Sequence, residues 1–170
     1  MLSILIALIA QPAPTVVTLG TLKATAPASW KSEKPSNLLR SFQFKIADKE
    51  AMPAEVAVFK EASPKVEEKF AEWKATFAIP DGKTADDLGA KVDKFAVADA
   101  TVHTLDLSGT WKYRERPRDP KSKEELRPEH RVIWVVLVQK DETTHVRLAG
   151  PTAVVEKAAP EFLKWIKSAK

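Results

Sequence analysis

The segment Arg131 to Gln139, RVIWVVLVQ, is an almost unbroken run of β-branched and aromatic residues. A strand wetted on one side alternates polar and apolar residues, and this run shows no such alternation between Val132 and Val138. It predicts a strand in the middle of a sheet with both faces covered. Its chain neighbours supply the partners. KVDKFAV (Lys91 to Val97) and ATVHTLDL (Ala100 to Leu107) read as a strand pair joined near Ala98-Asp99. TTHVRLA (Thr143 to Ala149) follows a short polar turn, with Val146 and Leu148 facing inward.

The first third of the chain repeats the strand signal. SFQFKI (Ser41 to Ile46) alternates cleanly, with Phe42, Phe44 and Ile46 on one face, and AEVAVF (Ala54 to Phe59) is its expected antiparallel neighbour. Thr15 to Thr25 reads as two short strands, or one bent strand, around Gly20. Two helices are expected. Ser63-Pro64 offers a capping hydroxyl and a first-turn proline, after which Val66, Phe70, Trp73 and Phe77 share one helical face up to Pro80-Asp81-Gly82. The last helix has Val155, Ala158, Phe162, Trp165 and Ile166 on its apolar side, and Pro160 predicts a kink or two short helices. Trp73, Trp134 and Trp165 are expected in the core. The fold class that results is α/β of the α+β kind, a single antiparallel β-sheet with helices packed on its faces, in one domain over residues 15–170.

The bulk properties agree with one folded domain. At 170 residues, 44% apolar and with five tryptophans, the chain can build a core without staples. It has no cysteine, which excludes disulfides, thiolate metal sites and cysteine nucleophiles. The net charge of +4 comes from mixed signs and is not by itself a nucleic-acid footprint. LSILIALIA (Leu2 to Ala10) has the length of a signal-peptide apolar region and is too short to span a bilayer. Residues 1–10 are therefore expected to be a cleaved signal peptide, a buried N-terminal strand or helix being the competing reading. Export to the periplasm or beyond follows, with no stable membrane insertion after cleavage.

Chemistry-bearing motifs are sparse. His103, His130 and His145 lack metal-ligand spacing, and His103 and His145 read as partly exposed sheet residues. No nucleophile elbow, phosphate loop or dinucleotide fingerprint occurs, and no carboxylate pair is marked. No catalytic residue, metal or cofactor is therefore expected, and the chain does not read as an enzyme. The conspicuous feature is GTWKYRERPRDPKSKEELRPEHRVIW (Gly109 to Trp134), basic, aromatic-flanked and interrupted by Pro117, Pro120 and Pro128. It reads as a solvated loop over residues 112–130, with Ser122 to Leu126 as one possible helical turn. As a docking surface, its candidates are Lys112, Arg114, Arg116, Arg118, Lys121, Lys123 and Arg127.

The arrangement resembles a known family. An Arg40 to Phe44 "R-x-x-Q-F" strand, the Trp73 to Phe77 helix segment and the LAGP turn before Phe162 are similar to those of small exported bacterial proteins of unknown function with a PsbP-like α/β sandwich fold. The resemblance implies a non-enzymatic binding or accessory role through contacts with another protein of the cell envelope. The alternative is weak binding of an anionic polymer or nucleic acid through the basic loop. A third reading is an enzyme with an unrecognised carboxylate site.

Overall fold

The apolar run lies in one of the two longest strands of the protein, at an interior position of its main sheet. The computed structural model describes residues 13–47, 52–59, 62–114 and 119–170. In chain order the elements are β1 (Val16–Leu19), β2 (Leu22–Thr25), β3 (Lys31–Glu33), β4 (Arg40–Ile46), β5 (Ala54–Phe59), α1 (Val66–Lys74), β6 (Lys91–Val97), β7 (Ala100–Arg114), β8 (Glu124–Val138), β9 (Thr143–Pro151) and α2 (Thr152–Lys167). The main sheet has seven strands in the order β3-β4-β5-β9-β8-β7-β6, with every pairing antiparallel. The expected α+β class holds. The expected single sheet does not, because β1 and β2 form a separate two-stranded sheet. Gly20, at φ +67°, turns the chain between them. Their alternate residues Val17, Leu19, Leu22 and Ala24 are buried in the core on the α2 side.

The two faces of the main sheet separate by residue parity. Ile133, Val135 and Leu137 of β8 point to α2, whereas Val132, Trp134 and Val136 point to the α1 side. Both sets are buried, which is why the segment shows no polar alternation. On the α2 side, Phe162, Trp165 and Ile166 join Trp30 and Phe44 in a continuous aromatic and aliphatic core. Helix α2 is a single element with Pro160 inside it, not two short helices. Lys164 and Lys167 lie in its last turn, where their charge suits the helix dipole.

The other helix is shorter than its apolar spacing suggests. Helix α1 ends at Lys74, and Phe77 lies beyond it, in a β-bridge to Trp111. Ser63 does not cap the helix, since the N-cap is Lys65; the Ser63 hydroxyl instead accepts a hydrogen bond from the Lys65 N–H at 3.3 Å. Trp73 is only half-buried, unlike Trp134 and Trp165.

The largest correction concerns the basic segment. Strand β7 does not stop at Leu107; it runs to Arg114 and pairs with β8 as far as Arg114↔Glu124. Ser122 to Leu126 is therefore not a helical turn, and most of the expected loop is a two-stranded arm. Pro128 is accommodated because the register slips between Gly109 and Trp111, where Pro128 and Glu129 of β8 stand opposite the single Thr110 of β7, with Glu129 at φ 51°. It also lies beyond the end of β9, which pairs with β8 only from His130 onward, so its missing N–H deprives no second neighbour. The expected signal peptide at 1–10 lies outside the described residues.

Candidate functional site

The α1 face is not filled. Trp73 lies flat on Trp134, with ring centroids 5.3 Å apart and planes 5° apart, and α1 stops one residue later. The chain then runs alongside β7: the Ala78 N–H donates to the Thr110 carbonyl and the Lys112 N–H to the Thr76 carbonyl, both at 2.8 Å. This fixes Trp111 across from the buried Phe77. Between Trp73, Trp111, Trp134 and Phe59 a cavity of about 430 Å³ remains, with His145 and Arg147 of β9 in its wall. Glu72, Lys112, Arg114 and Glu124 line it as well.

Arg147 belongs to a nearly buried charge cluster. Its Nη2 donates to Glu55 Oε1 at 2.9 Å. Arg40 Nη1 reaches Glu55 Oε2 and Gln43 Oε1, each at 2.8 Å. The side chains of Arg40 and Arg147 are 5% and 12% exposed, that of Glu55 29%. Two guanidinium groups thus share one carboxylate, and each keeps an Nε–H with no partner among the described residues. Burial works against ionised Glu55, but Arg147 and Arg40 together hold its carboxyl below the ordinary value. Burial likewise pulls Arg147 down, opposed chiefly by Glu55; an arginine keeps its proton in such a site. Aromatic faces supply the remaining compensation, with the Arg147 guanidinium 5.1 Å from the Trp111 ring centre and 5.5 Å from that of Phe59.

His145 is buried, not a partly exposed sheet residue. Its Nε2 is 3.0 Å from the Ser63 carbonyl, and its ring meets Trp73 edge-on at 5.2 Å. Burial lowers its pKa most, with Lys69 adding to the effect and the Ser63 contact and Glu72 opposing it. The neutral ring therefore donates Nε2–H to Ser63. On the far side of Arg147 and Trp111 lies a second, smaller hollow of about 240 Å³, bordered by Glu55, Tyr113, Arg127 and His130.

The five basic candidates among the described residues do not converge. Lys112 and Arg114 line the large cavity. Arg114 is paired with Glu124 at 3.1 Å, and Arg127 with Glu125 at 3.1 Å while lying 3.6 Å from the Tyr113 ring centre. Lys121 and Lys123 are exposed near the tip of the arm, and Arg116 and Arg118 lie outside the described residues. The residues that do converge were legible only indirectly. His145 and Arg147 alternate with the inward-facing Val146 and Leu148, so a neighbour covered on both faces encloses them too.

Among the described residues, no cluster of three or more His, Cys, Asp or Glu side chains could hold a metal ion. Among the same residues, no helix is long and apolar enough to cross a membrane. No family model matches the chain, and no curated protein matches it either. Among solved structures it is similar to PA94 of Pseudomonas aeruginosa, a protein of unknown function. That match has 13% identity and a TM-score of 0.49, and covers 91% of this chain and 94% of the other. A likeness of this degree carries no argument about function.

Proposed function

We propose that the protein is an exported, non-enzymatic binding or accessory protein with a PsbP-like fold, and that its working site is the tryptophan-lined cavity beside α1. The observation that carries this reading is the cavity itself: a partly open space of about 430 Å³ with four aromatic side chains, Arg147 and His145 in its wall. Concave, largely apolar sites of this size with a few fixed polar groups are where compact ligands bind. The apolar run of Leu2 to Ala10 supports export. A partner in the cell envelope would then deliver or receive the ligand.

The basic arm is the weaker alternative, because Arg114 and Arg127 are each neutralised by a glutamate on the same arm. Exposed pairs of this kind leave little net field for a polyanion. A melting-temperature and tryptophan-fluorescence screen of small aromatic compounds separates the two. The expected result is saturable binding that is lost in Trp73→Ala and retained in the Lys121→Ala, Lys123→Ala double variant. Salt-sensitive, sub-micromolar binding of heparin or nucleic acid, with no response to any small aromatic compound, would contradict the proposal.

A further inference from the structure

The charge around the cavity narrows what it can hold, if the cavity is the binding site proposed above. Arg40 and Arg147 share Glu55 alone, so that cluster carries one positive charge with no counter-charge among the described residues. At the rim, Glu124 is engaged by Arg114 at 3.1 Å, and Glu72 by Lys69 at 2.6 Å. Lys112, half-buried on the same wall, forms no ion pair among the described residues. His145 adds no charge when neutral, and its Nε2–H is already committed to Ser63. Counted together with the partners that engage them, the charged groups around the cavity leave a surplus of two positive charges, one from the Arg40–Glu55–Arg147 cluster and one from Lys112, in a site walled by low-polarity rings.

Such a site disfavours a ligand cation and leaves a neutral ligand without use of the surplus charge. It favours an anion whose body is apolar, since a bare hydrated ion would forgo the aromatic walls. A carboxylate suits the donors: Arg147 can offer guanidinium N–H groups and Lys112 an ammonium. The volume limits the body to a compact molecule of one or two rings, not a polymer segment. We infer that the cavity binds a small aromatic monocarboxylate, its rings among Trp73, Trp111 and Trp134 and its carboxylate directed to Arg147 and Lys112.

The test uses a charge series of one shape on the full chain: 1-naphthoate, 1-naphthamide and 1-naphthylmethylammonium, titrated by tryptophan fluorescence and calorimetry. The expected order is naphthoate at least about tenfold tighter than the amide, with the ammonium compound weakest. Lys112→Ala should lower naphthoate affinity by a few-fold and leave the amide unchanged. Arg147→Gln should bring naphthoate down to the level of the amide. Should Arg147→Gln not fold, the wild-type charge series together with Lys112→Ala still decides. Amide binding as tight as naphthoate would overturn the anionic assignment and leave the pocket reading standing. Silence of all three compounds, and of the wider aromatic screen, would overturn both.

Discussion

The two faces of one seven-stranded sheet are built on different terms. The α2 face is closed by a sixteen-residue helix and a β-hairpin, and Phe44, Phe162 and Ile166 are fully buried there beside the nearly buried Trp30 and Trp165. The α1 face is covered by a nine-residue helix that reaches only part of the sheet. Where that cover runs out, the sheet presents Phe59, His145 and Arg147 in place of aliphatic residues, and a cavity remains. A stability-only design would fill the cavity and replace the Arg40–Glu55–Arg147 cluster with hydrophobic residues, since buried ion clusters contribute little net stability. The difference teaches that both faces bury a core, but only the α1 face leaves part of its sheet uncovered, with charged and aromatic side chains around the space.

Substitutions can break that contrast, beginning where the effect is largest. Phe162→Ala on the α2 face should cost about 3–5 kcal/mol in denaturant unfolding, because the ring is fully buried against Trp30 and Trp165. Glu55→Gln should follow at roughly 3 kcal/mol, since it strands two guanidinium groups at once. Arg147→Met should cost clearly less, because Glu55 keeps Arg40. Equal costs for the two would mean that the charges do not share one carboxylate in solution. Trp73→Ala should cost roughly 1–2 kcal/mol, as the residue is half-buried and borders a space already open. A loss as large as that of Phe162→Ala would show that the α1 face is packed as tightly as the other.

The smallest effect is the dependence on pH. The folded pKa of His145 is depressed, so the stability it contributes is complete above its ordinary value of 6.5 and is lost as pH falls below it. His103 acts in the same direction, through its own partial burial and Lys94. Glu55 is also depressed, and its contribution is lost only as pH falls below 4.5. Melting temperature should therefore decline in two stages on acidification. His145→Gln should shrink the first stage to the share of His103 and leave the second. An unchanged first stage would place the titrating group elsewhere, with Lys69, Glu72 and Arg147 as the charges that surround the ring.

How much of this was legible in the sequence follows the same division. Strands β4 to β9 and helix α2 were visible because repeating apolar positions report burial directly. The α1 face was misread wherever a tertiary contact overrode a local signal. Phe77 keeps helical spacing with Trp73, yet it leaves the helix to bridge Trp111. Pro128 reads as a strand breaker, yet a bulge at an unpaired margin absorbs it. The candidate site draws His145, Arg147 and Phe59 from strands and Trp73 from a helix, and no linear spacing joins residues brought together by sheet order. Of the basic candidates among the described residues, only Lys112 and Arg114 reach it.

The five tryptophans divide between the faces, Trp30 and Trp165 on the α2 side and Trp73, Trp111 and Trp134 around the cavity. Each indole N–H gives its own signal in a proton–nitrogen correlation spectrum, so one titration with 1-naphthoate reads both faces at once. The expected result is a saturable shift of the Trp73, Trp111 and Trp134 signals, with those of Trp30 and Trp165 unmoved. Shifts confined to Trp30 and Trp165, or none in any of the five at millimolar ligand, would contradict a division of labour between a sealed face and a binding face.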